Sequence, residues 1–116
     1  MPKSLAARVK AVHFAEAFKQ RLVMKKYKIF VEADNLLTAI DGKIAKRGFY
    51  TTRFVEGNDA KDADHRALLM IREELKSILL NTQSDPPTIV VKENSEIETF
   101  GNNAVPGEGF TWFDSE

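Results

Sequence analysis

The stretch from Gly48 to Leu80, GFYTTRFVEGNDAKDADHRALLMIREELKSILL, switches its hydrophobic pattern from strand-like to helix-like, and that switch constrains the fold more than any other feature of the chain. Phe49 to Glu56 is rich in aromatic and β-branched residues, which suit a pleated, half-buried surface and predict a strand. Gly57 and Asn58 end it. Asn58 or Asp59 can turn a side-chain oxygen onto the free amides of a following turn, and Asp62 puts negative charge where a helix dipole is positive. Ala63, Ala67, Met70, Ile71, Leu75, Ile78 and Leu79 then recur at spacings of three and four, which predicts a helix over 59–80 with one broad apolar face. The five larger residues of that stripe represent about 8 to 15 kcal/mol of gross burial, at about 1.5 to 3 kcal/mol each. Conformational entropy offsets most of it, but no other segment offers as much. Leu69 and Leu80 fall off the stripe at nearly one azimuth of such a helix. They read either as two ordinary surface leucines or as a second contact face for the N-terminal helix or a partner subunit.

Upstream of this stretch, charge is segregated. Residues 1–28 hold eight Lys or Arg against Glu16 alone, so an excess of seven positive charges there is balanced by an equal negative excess in the remainder of a chain that is formally neutral. A basic arm joined to an acidic body either meets an external polyanion or lies against its own body. Ser4 can cap a helix running to about Val23, with Ala7, Ala11, Phe14, Ala15, Phe18 and Leu22 on one face and Lys10, His13, Gln20 and Arg21 on another. Three readings stand for this helix: docking within the protein or its dimer, binding a polyanion, or a dispensable extension. The last is motivated by Met24, which precedes KKYKIFVEADN and could itself open a reading frame that begins directly with a strand. The expected organisation is a basic amphipathic helix over 1–24 followed by one α+β domain over 25–116.

Tyr27, Ile29 and Val31 alternate with Lys28 and Glu32, which predicts a first strand from Lys26 to Ala33. Asp34-Asn35 reads as a turn. Leu36 to Ile40 is a short apolar segment closed by Asp41-Gly42, a pair suited to a two-residue hairpin turn. Lys43 to Arg47 then returns antiparallel, and Gly48 permits a bulge or bend. Beyond the long helix, Asn81 is a plausible C-cap and Asp85-Pro86-Pro87 fixes an extended connection. Thr88 to Glu93 reads as a strand, Ile97 to Phe100 as a further short one, and Gly101 to Gly109 as a loop. Phe110, Trp112 and Phe113 make an apolar terminus expected to dock as an edge strand or on a partner. The predicted fold is therefore α+β: an antiparallel sheet of four to five strands with the 59–80 helix across one face and the N-terminal amphipathic helix added beside it.

The YKIFVEADN opening and the GFYTTRFVEG segment resemble a pattern in small bacterial proteins usually called uncharacterised, over about Met24 to Trp112. That resemblance implies no catalytic residue. The strand, strand, helix, strand order is also similar to HicB-like antitoxin domains, although no C-terminal helix-turn-helix or ribbon-helix-helix segment is evident in this chain.

The chemistry that remains open is limited. With no cysteine, a disulfide scaffold, a thiol nucleophile and a thiolate metal site are excluded. No apolar run reaches the roughly 20 residues needed to cross a bilayer, and no secretory signal pattern opens the chain, so a cytoplasmic protein is expected. His13 and His65 lack a second histidine at helical spacing, and no metal site is assigned. Gly107-Glu108-Gly109 precedes a strand rather than opening a helix, and reads as a turn rather than a phosphate loop. Glu93, Glu96 and Glu98 read as a charged sheet edge, with cation binding as the alternative. Arg53, set among Thr51, Thr52, Phe49, Tyr50 and Phe54, is the candidate ligand-facing residue, because interleaved aromatic and basic residues on a sheet can stack bases and meet phosphates. The acidic balance around it opposes that role.

No catalytic residue and no cofactor is assigned. The expected function is a non-enzymatic protein-interaction or regulatory module, with a nucleic-acid-binding regulator using the basic N-terminal helix as the alternative. The apolar surface left over by one small sheet predicts a homodimer or an unidentified protein partner. Phe14, Phe18, Leu69, Leu80, Trp112, Phe113 and Arg53 are the candidate interaction residues.

Overall fold

The computed structural model describes residues 24–115, and the N-terminal helix expected over 1–24 falls, apart from Met24, outside the described residues. Element order is β1 (Lys25–Ile40), β2 (Lys43–Gly57), α1 (Ala60–Leu75), β3 (Thr88–Ile97) and β4 (Thr111–Asp114). The strands form one sheet in the order β3-β1-β2-β4, with every neighbouring pair antiparallel. The α+β class and the antiparallel sheet follow the sequence pattern, and α1 lies across one face.

The first two strands are longer than the sequence suggests. β1 does not end at Asp34-Asn35; it carries a bulge there, with Asn35 at φ 56 and its amide donating to Asp34 Oδ1 at 2.8 Å. Before the bulge the inward positions are Tyr27, Ile29, Val31 and Ala33; after it they are Leu36 and Thr38. The extra residue resets the two-residue alternation, so a segment that reads as broken in sequence remains a single strand with one buried face. Asp41 and Gly42, at φ 50 and 76, make the expected hairpin turn.

Gly48 lies opposite the bulge, within a continuous β2. A Cβ at this position would overlap the Phe113 ring and lie 2.6 Å from Ala33 O, so the absence of a side chain is what allows β4 to lie against β2 here.

The start of α1 matches its sequence signals. Asp59 Oδ1 accepts from Asp62 N at 2.7 Å and Asp62 Oδ2 accepts from Asn58 N at 2.9 Å, a reciprocal cap. Ala63, Ala67, Ile71 and Leu75 face the sheet and are buried against Ile29, Val31, Leu36 and Phe49. The expected end at Leu80 is wrong, because the helix stops at Leu75.

The reason is tertiary. β3 pairs with β1 only as far as Asp34, which leaves the distal half of β1 with an open edge. Ile78 to Asn81 fill that edge: Ala39 N donates to Ile78 O at 3.0 Å, Leu80 N to Leu37 O at 2.8 Å, and Leu37 N to Asn81 Oδ1 at 2.8 Å. Asn81 thus ties to β1 instead of capping a helix. Leu69 and Leu80 consequently share no helical face.

β3 runs on to Ile97, past the expected end at Glu93, and no separate strand forms over Ile97 to Phe100. The aromatic terminus docks as edge strand β4, pairing Phe49 with Trp112 and Gly48 with Phe113. Among the described residues no helix is long and apolar enough to cross a membrane.

The Gly48→Ala variant should lose about 1–3 kcal/mol, since both the Phe113 ring and the Ala33 carbonyl must yield to the added methyl. Urea unfolding followed by the fluorescence of Trp112 measures it. An unchanged midpoint would show that β4 is not seated on Gly48.

Candidate functional site

Strand alternation gives the sheet two different faces. On the inner face, opposite α1, stand Phe49, Thr51, Arg53 and Val55 of β2, each across from an inward residue of β1. Arg53 is fully buried, so the structure overturns its assignment as a ligand-facing residue.

Every N–H of its guanidinium is engaged. Nε donates to Thr51 Oγ1 at 3.1 Å. Nη1 donates to Glu74 Oε2 and to Gly107 O at 3.3 Å. Nη2 donates to Glu74 Oε1 at 3.1 Å and to Gly109 O at 3.0 Å. The guanidinium also lies over the Phe110 ring, 5.3 Å from its centroid. Thr51 Oγ1 in turn donates to Gly109 O at 2.9 Å.

Burying a cation is unfavourable unless it is paired and fully hydrogen-bonded, and the bidentate Glu74 carboxylate with two loop carbonyls meets that requirement. Glu74 titrates below the ordinary glutamate range because the hydrogen bond from Arg53 favours its charged form, against an opposing desolvation effect. The cluster joins α1, β2 and the 107–110 loop, and it leaves no free donor or cationic surface for a substrate. Gly107-Glu108-Gly109 is the loop that Arg53 holds by its carbonyls.

The other face carries the accessible aromatics. Phe30 stacks on Tyr50 with centroids 5.7 Å apart and planes 10° from parallel. Tyr50 meets Phe113 at 5.0 Å, and Phe54 meets Phe100 edge-on at 6.4 Å. Lys26 Nζ lies 5.8 Å from the centre of the Phe100 ring. No helix among the described residues packs on this face, and Tyr50 is 40% exposed.

A third feature is a groove of about 620 Å³ at the β2 edge, lined by Met24, Phe54, Leu69, Met70, Val105 and Pro106 among others. Glu56, Glu73 and Arg66 also line it.

The candidate interaction residues therefore separate. Leu69, 55% exposed, belongs to the groove, whereas Leu80 sits beside the distal half of β1. Trp112 packs inward against Phe49 and Phe110, at 5.5 and 5.3 Å, while Phe113 joins the outer aromatic face. Phe14 and Phe18 lie outside the described residues, as does His13.

His65 is exposed on α1, and Glu96 pairs with Lys25 at 3.6 Å on the sheet edge. Among the described residues no group of three His, Asp or Glu is placed to hold a metal ion. The sequence reading missed Glu74 and the groove. The alternation of β2 does carry a signal for the first, since it places Arg53 in phase with Phe49 and Val55, on an inward face.

Breaking the buried pair should be costly. Arg53→Met and Glu74→Gln are each expected to lose about 3 kcal/mol, the low end for a buried pair because Glu74 remains 33% exposed. The double variant Arg53→Met/Glu74→Leu should recover much of this, since no unpaired charge is left behind. The depressed folded-state pKa of Glu74 gives stability that is present above the ordinary glutamate range and lost as pH falls through it. Stability measured from pH 7 to pH 3 should fall less steeply in Glu74→Gln; parallel slopes would show that the pair does not titrate with folding.

No protein-family model, curated protein or solved structure matches this chain.

Proposed function

We propose that this protein is a non-enzymatic protein-interaction or regulatory module whose working surface is the outer aromatic face of its sheet. The observation that carries the reading is the Phe30, Tyr50, Phe113 stack on paired strands, with Tyr50 exposed between two half-buried phenylalanines. The cluster most like a catalytic constellation, Arg53 with Glu74, is consumed internally.

Strand spacing of about 4.8 Å and a rise of about 3.3 Å per residue give the three long strands a projected face of roughly 400 Å². That is below the roughly 800 Å² per partner of a standard stable interface, so the face by itself suits reversible contact. Tyr and Phe contribute large contact area at small conformational cost, and Lys28, Glu32 and Glu93 supply a mixed polar surround. A second copy of the chain is the proposed partner, joined in a symmetric homodimer.

A nucleic-acid-binding regulator is the rival reading, because Lys26 and Lys28 stand on the same face as the aromatics and the segment before β1 is basic. The acidic balance of the remaining chain weakens it.

Sedimentation equilibrium at tens of micromolar should show self-association of the wild type that falls at least about tenfold in Tyr50→Lys, a loss of about 1.4 kcal/mol or more. A wild type that stays monomeric rejects the homodimer. Gel shifts with RNA and DNA over a salt series test the rival: tight binding that weakens steeply with salt would move the function to nucleic acid.

A further inference from the structure

The groove at the β2 edge is a separate surface from the aromatic face, and its position in the chain indicates what fills it. We infer that the groove is the seat of residues 4–22 of the same chain, docked in cis as an amphipathic helix.

Met24 itself lines the groove, so the upstream chain departs from within it. Its apolar floor combines Phe54 and Val55 of β2, Leu69 and Met70 of α1, and Val105-Pro106 of the loop. Glu56 and Glu73 line it, and the adjoining hollow adds Glu108. Arg66 is paired with Asp62 at 3.0 Å and Glu73 with Lys76 at 3.2 Å, while Glu74 is taken up by Arg53, which leaves the carboxylates of Glu56 and Glu108. The lining is therefore acidic on balance.

The segment upstream of Met24 has the complementary character. It carries Lys3, Arg8, Lys10, Lys19 and Arg21 against Glu16, and its apolar stripe ends in Phe14, Phe18 and Leu22, next to the groove in sequence. At about 1.5 Å per residue a helix from Phe14 to Leu22 spans about 12 Å, the same as Arg66 to Glu74 along α1, so its last two turns match the groove in length. The outer sheet face fits this segment less well: Lys26 and Lys28 there offset Glu32 and Glu93, so it has no acidic excess to meet the basic arm.

Docking in cis would cover Leu69 and pair the basic arm with the acidic body. It would leave the aromatic face free.

The test is hydrogen exchange read by mass spectrometry on the full chain at low micromolar concentration. A lone helix of this length is marginal in water, so slow exchange in the segment reports docking. Amides of residues 8–22 should exchange at least about tenfold more slowly than an unstructured chain, independently of protein concentration. Leu69→Lys, at a position already 55% exposed, should return them to coil rates while β1 and β2 keep their protection. Phe18→Ser, made on the segment itself, should do the same. Coil rates in the wild type would overturn the inference, as would protection that survives Leu69→Lys. Protection lost on dilution would assign the groove to a second copy, and protection lost in Tyr50→Lys but not in Leu69→Lys would move the segment to the sheet face; either result rejects the assignment.

Discussion

A guanidinium taken wholly out of water has to find an acceptor for each of its N–H groups, and around Arg53 that requirement ties together α1, β2 and the 107–110 loop. Glu74 comes from the last turn of α1, Thr51 from the same strand, and the carbonyls of Gly107 and Gly109 from the long connection before β4. Phe110 follows directly on this anchored loop and packs on Phe49 at 4.4 Å, which sets where Thr111 to Asp114 can join the sheet. Arg53 thus adds polar ties among the helix, the central strand and the loop leading to the edge strand, beside the apolar packing of α1 and the pairing of β4 with β2. Stability alone does not explain the choice of residue, since a well-packed apolar replacement can match or exceed a buried ion pair. What the ion pair adds is direction: five N–H vectors admit one arrangement of loop and helix, whereas an apolar contact would admit several.

The second constraint is the phase of β1. A sixteen-residue strand can keep one face buried along its length only while its alternation is maintained, and the bulge at Asp34 and Asn35 resets that alternation where Leu36 replaces Ala33 as the next inward residue. The bulge also marks the point where β1 changes partners. Up to Asp34 its outer edge belongs to β3; beyond, it belongs to Ile78 to Asn81. Asn81 closes the arrangement by donating to Asn35 O at 2.9 Å as it accepts from Leu37 N. An edge of β1 that would otherwise stand open is satisfied by chain taken from the end of the helix pattern.

These two constraints account for what the sequence made legible and what it did not. Local chemistry read correctly: the Asp41-Gly42 hairpin, the cap at Asp59 and Asp62, the alternation of Tyr27 to Val31, and the edge-strand role of the terminal aromatics are each decided within a few residues. The end of α1 was not legible, because Ile78 and Leu79 fit a helical stripe as well as they fit the edge of β1, and only the early end of β3 decides between them. Asp34-Asn35 could not be told from a turn, since positive φ at Asn35 serves either. The Thr and aromatic residues around Arg53 suggest a ligand-facing side chain, whereas its phase with Phe49 and Val55 points it inward, where it is fully buried. The groove left no trace in any one segment, being assembled from the end of β2, the outer side of α1 and a loop some fifty residues downstream.

Burying its main cation leaves this protein with an unusual division of surface. Arg53 and Glu74 neutralise each other and Glu73 pairs with Lys76, so the groove and its adjoining hollow present Glu56 and Glu108, while the segment before β1 carries five Lys or Arg against Glu16. The outer sheet face is different in kind: its aromatics are backed by paired strands, and Lys26 and Lys28 balance Glu32 and Glu93 around them. An acidic, partly apolar groove attracts a basic amphipathic segment at long range and holds it by contact area; a neutral aromatic face has little long-range pull and selects by shape. The two surfaces are therefore suited to different occupants, one tethered and always near, the other arriving from solution. Phe54 lines the groove and also meets Phe100 on the sheet face, so the two surfaces adjoin at this one side chain while Phe30, Tyr50 and Phe113 lie outside the groove.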